Sequence, residues 1–188
     1  MRDRRVFYLI AFAMACASAP EPEPVVTYSD NRTPLKKLAD STSIIVKVGV
    51  DQSDSASMRG QLANAERDAA RKRQFVGDAR RSAMTARESF IQAMEKGDRL
   101  RDFLGSIPST DESPRSFSRY WSNTRVKLDM ARSESHLAVI AADSALVCGP
   151  APCSGLMTAA LRSHLLAAAG AAHEAHSLLR IAMTFVKK

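Results

Sequence analysis

The chain has 188 residues, 27 Lys+Arg against 20 Asp+Glu and a formal charge of +7, so it is basic and long enough to bury one core. Hydrophobic residues at 45% and charged residues at 25% exclude disorder across the whole chain. With 8 Gly, 8 Pro and 6% aromatics, collagen-like, low-complexity and loop-rich β-sandwich architectures are excluded as well, and 30 alanines favour helix. Three cysteines, an odd number, call for an explanation.

The first element is an address. Arg2, Arg4 and Arg5 form a basic stub, and Val6 to Ala15 follow without a charge. These are the parts of an export signal. The run from Val6 to Ala19 spans only about 21 Å as a helix, against roughly 30 Å of bilayer core, so it is too short for a permanent span. Ala13-Met14-Ala15-Cys16 at its end resembles the lipobox of bacterial lipoproteins, in which small residues precede a cysteine that is lipidated and becomes the mature N-terminus. The resemblance implies cleavage after Ala15 and lipid on Cys16. It departs from the usual pattern at Ala13, where the family carries Leu, and it covers about a tenth of the chain. The Ala17-Ser18 that follows, lacking Asp, is by the same resemblance compatible with outer-membrane sorting in a Gram-negative host.

Pro20-Glu21-Pro22-Glu23-Pro24 reads as an extended spacer behind such an anchor. Three alternatives stay open. Ala15-Cys16-Ala17 is also an Ala-x-Ala cleavage site, which would release a secreted soluble protein starting at Ser18. Arg4-Arg5-Val6-Phe7 weakly resembles a twin-arginine signal, and an uncleaved N-terminal helix is the third reading. The expected organisation is therefore a signal peptide at 1–15, a lipidated Cys16 with a flexible Pro/Glu tether at 16–33, and a helical bundle at 34–188.

Pro34 to Val48 reads as a short capped helix ending at Gly49, with a β-branched strand over Ser43–Val50 as the alternative. From Met58 to Leu104 apolar positions recur at a 4,3 spacing, interrupted only by Lys72 and Gly97, which predicts one long helix with Ser53–Ser55 offering caps. Gly60 and Gly77 are candidate bends within it. Ser113-Pro114 opens the next helix, with a seam at Phe117, Trp121, Thr124, Leu128, Ala131, Ser135, Ala138, Ala142 and Ala145. Ser154 caps a third, with a seam at Met157, Leu161, His164, Ala168, Ala171, Ala175, Leu178, Ala182 and Phe185. The fold expected is all-α: an antiparallel up-down-up bundle of three long Ala-rich helices with a short fourth helix at its N-terminus.

If Cys16 takes lipid, Cys148 and Cys153 remain as a pair around Gly149-Pro150-Ala151-Pro152. Such a turn brings cysteines within disulfide reach, and exported proteins retain disulfides, so a structural staple is expected and the mature protein has no free thiol. A redox or metal role fits less well, because no His or third Cys flanks the loop.

No nucleophile elbow, phosphate-binding glycine loop, His-Glu-x-x-His or calcium loop occurs, so no catalytic residue is assigned and an enzyme is not expected. His173 and His176 share a helix face with Arg162 and Arg180 and read as surface histidines, and His164 as a core histidine with Thr124 or Ser135 as seam partners. The alternative is a periplasmic metal- or haem-binding bundle using His164, His173 and His176; no cofactor is assigned. Arg71, Lys72, Arg73, Arg80 and Arg81 make a basic surface. Export excludes nucleic acid, so the partners expected are the membrane through the N-terminal lipid and an anionic envelope polymer or a protein. The function expected is a structural or interaction role in the bacterial cell envelope.

Overall fold

The computed structural model describes residues 32–107, 112–148 and 153–186. The signal-like segment, Cys16 and the Pro/Glu spacer lie outside the described residues, as do Pro108 and the Gly149–Pro152 turn. The described residues are all-helical, in four long helices: α1 (Arg32–Ala65), α2 (Ala69–Ser106), α3 (Ser113–Val147) and α4 (Cys153–Thr184). They fall, Arg32 excepted, in one compact unit that begins at Thr33.

Three expectations are corrected. The Met58–Leu104 helix is two helices, broken at 66–68 rather than bent at Gly60 or Gly77. The Glu66 carboxylate accepts from the backbone N–H groups of Arg67 (2.8 Å) and Asp68 (2.9 Å), and Asp68 in turn caps α2 by accepting from the N–H of Arg71 (2.8 Å). Three backbone donors within five residues are thus satisfied by side chains, which offers the chain a turn in place of helix. The short helix expected at 34–48 is the first part of a 34-residue α1 that runs through Gly49. An added Cβ at Gly49 would meet the Phe90 ring, so glycine here admits an aromatic ring against the α1 backbone rather than ending the helix. Ser53, expected as a cap, is buried in mid-helix.

Bonds between helices give the packing order. Lys96 donates to Ser41 (2.8 Å) and Arg59 to Ser82 (2.9 Å), which sets α2 antiparallel to α1. Arg80 pairs with Asp143 (2.6 Å) and Trp121 Nε1 donates to Asp98 (2.9 Å), setting α3 antiparallel to α2. Lys127–Glu174 (2.6 Å) and His164–Glu134 (2.8 Å) join α4 to α3, and His173–Asp54 (3.0 Å) with Gly60 against Leu165 joins α4 to α1. Each helix therefore has two antiparallel neighbours, with α1 and α3 at opposite corners.

The core differs from one end of the bundle to the other. Around the start of α1 and the end of α2, Phe90, Leu100, Phe117, Trp121 and Leu128 are fully buried, and Phe117 stacks on Trp121 with ring centroids 6.4 Å apart. Gly97 provides the room for this, because the Trp121 indole lies where its Cβ would be. Toward the α1–α2 turn the core is mostly alanine, with Val76, Leu161 and Leu165 as its larger members. Among the described residues 18 of the 31 buried apolar side chains are alanine, which lets the helix axes approach closely.

All nine seam positions expected in α3 are buried, and the α2 seam is buried from Val76 to Leu104. In α1 the buried seam is Ala39, Thr42, Val46, Gly49/Val50, Ser53, Ala56/Ser57, Gly60 and Ala63, while Met58 and Leu62 face outward.

Candidate interaction surfaces

The basic residues separate by helix position. Arg80 is paired with Asp143, and Arg81 with Asp78. Arg71, Lys72 and Arg73, in the first turn of α2, have no ion-pair partner among the described residues. Lys72 and Arg73 rim a shallow cavity of about 200 Å³ at the alanine end, floored by Val76, Ala145 and Thr158 and bordered by Cys148 and Ser154. The N-terminal turns of α2 and α4 and the C-terminal turn of α3 all border it, so the helix dipoles partly offset one another and the Lys72 and Arg73 side chains set the sign of charge there. Cys148 follows the end of α3 and Cys153 opens α4, so the two residues of the expected bridge stand at the facing ends of consecutive helices in the sequence. The Cys153 side chain lies outside the described residues, and so does the pairing.

The histidines are not brought together. His164 is not a core residue: its ring is about one-third exposed and it bonds Glu134 rather than Thr124 or Ser135. Thr124 is satisfied by donating to the Tyr120 carbonyl. His173 bonds Asp54 of α1, and His176 has no such partner among the described residues. Among the described residues no group of three or more His, Cys, Asp or Glu side chains gathers as a metal site. The alternating signal that identifies these pairs, a carboxylate on the facing helix at the matching height, is invisible until the helix order is known.

The larger surfaces are apolar. Val126, Met130, Leu137, Ile140 and Val147 of α3 are 42–87% exposed, and with Ser133 and Ser144 they recur at a 4,3 spacing. Each stands two residues after a member of the buried seam, about 200° around the helix, so α3 is apolar on both its inner and its outer face. α1 repeats this less fully with Ile44, Val48, Met58 and Leu62, interrupted by Asp51 and Ser55. No described helix is long and apolar enough to cross a membrane. No protein-family model, curated protein or solved structure matches the chain.

Proposed function

We propose that the chain is an exported, lipid-anchored helical-bundle protein with a structural or interaction role in the bacterial cell envelope. The observation that carries this reading is the basic stub, short apolar run and small residues leading into Cys16, placed ahead of a bundle whose outer faces keep apolar seams. An anchor at Cys16 joins the bundle through α1, whose Arg32 end is the aromatic end. The Arg71–Arg73 cluster is then at the opposite tip, about 50 Å away along a 34-residue helix. A basic tip so placed suits an anionic polymer or protein beyond the anchoring membrane better than the lipids at its base. A Cys148–Cys153 disulfide would hold the α3–α4 turn at that tip.

The test is metabolic labelling with palmitate and membrane fractionation of the full chain beside Cys16→Ser. The parent takes up label and sediments with membranes, and the variant does neither. An unlabelled parent removes the anchor and leaves the secreted soluble alternative.

A further inference from the structure

We infer that the outer face of α3 is the docking surface for a second copy of this chain, packed antiparallel across a two-fold axis between Leu137 and Ile140. The register follows from the positions themselves. About that axis Leu137 meets Ile140 of the other copy twice, Met130 meets Val147 twice, and the two polar positions, Ser133 and Ser144, meet each other. Every large apolar residue from Met130 to Val147 on this face thus finds an apolar partner, and every serine finds a serine. A seam that matches itself on reversal is what a two-fold contact requires.

Charge selects the direction. The positions flanking the seam on the α2 side are Asp129, His136 and Asp143; those on the α4 side are Lys127, Glu134 and Ala141. In the antiparallel register His136 faces Asp143 of the other copy, twice over. His136 has no partner within the chain among the described residues, and Asp143 is half-exposed with Arg80 on its inner side. A parallel arrangement sets Asp129 against Glu134 of the other copy instead, a like-charge pair. Lys127 and Glu134 are engaged with Glu174 and His164 of α4, so the α4 side contributes a neutral rim. The corresponding seam on α1 also matches itself on reversal, but Asp51 and Ser55 stand at its centre where α3 has Leu137 and Ile140, so a two-fold contact there would bury two carboxylates instead of four apolar side chains.

The axis lies near the C-terminal end of α3, so the copies overlap along their alanine ends and carry their Arg32 ends at opposite extremes. The contact does not depend on lipidation, and its failure leaves the palmitate result untouched.

The test combines assembly state and register on the full chain. Sedimentation velocity is expected to give a concentration-dependent dimer. Leu137→Asp, at an exposed position, gives a monomer with unchanged circular dichroism, and Met58→Asp leaves the dimer intact. His136→Asp weakens self-association by roughly two- to thirtyfold, while His136→Lys preserves it. For register, a mixture of L137C and I140C forms interchain disulfides faster than either variant alone, measured above the level of the unmodified chain. A monomeric parent at about 100 μM overturns the proposal, on the scale of weak association. So do loss of the dimer in Met58→Asp, which would move the contact to α1, and faster crosslinking by L137C alone, which would make the helices parallel.

Discussion

A methyl group added at Gly97 overlaps the Trp121 ring, whereas one added at Gly77 meets nothing within 4 Å. The two glycines occupy the same helix, so they separate backbone entropy from packing. Gly77→Ala should raise stability by about 0.5–1 kcal/mol, because only the unfolded chain loses freedom. Gly97→Ala should lower it by about 1–3 kcal/mol as the indole is forced out of its place. Urea midpoints of the two variants, compared at constant slope, check both signs. Displacing the indole also breaks its bond to Asp98, a carboxylate that accepts from Arg125 as well (3.0 Å). The effect at Gly97 therefore reaches the α2–α3 contact, while that at Gly77 remains local.

At the scale of the element, the boundary between α1 and α2 rests on short side chains. Asp68 caps α2, and Asp68→Ala should lower stability by about 1 kcal/mol, read as a shift in thermal midpoint without loss of helical signal at low temperature. The elements were unequally legible in the sequence. α3 announced itself, since its inner seam carries Phe117, Trp121 and Leu128 and its start carries Ser113-Pro114. α1 did not, because its buried seam is filled with Thr42, Gly49, Ser53, Ser57 and Gly60, while Ile44, Met58 and Leu62 face outward. Periodicity follows large apolar residues, and in α1 these occupy the outer side. The same outward residues continue in step into the α2 seam, which is why a single helix over 58–104 was the natural reading. The break at 66–68 depends on Glu66 and Asp68 both accepting from backbone N–H groups that follow them, and acidic residues at that spacing are equally at home on a solvated helix. The outer seam of α3 was present in the sequence too, but a two-sided pattern declares which side is inner only once its neighbours are placed.

For the whole molecule, the uneven core has a dynamic consequence. Large rings interlock α1, α2 and α3 at one end, while at the other the core is mostly alanine. Alanine surrenders no side-chain freedom on folding, but each one also contributes little area to hold neighbouring turns together. Opening should therefore be graded along the bundle axis rather than uniform. Native-state amide hydrogen exchange is the measurement. Amides in the turns that flank residues 66–68 should exchange through low-energy local openings, and those around Phe90 and Trp121 only through global unfolding. Equal protection at both ends would mean that close backbone approach compensates fully for missing side-chain volume. A graded profile would make the tip bearing Lys72 and Arg73 the part of the fold that can rearrange around a partner while the Trp121 end holds its shape.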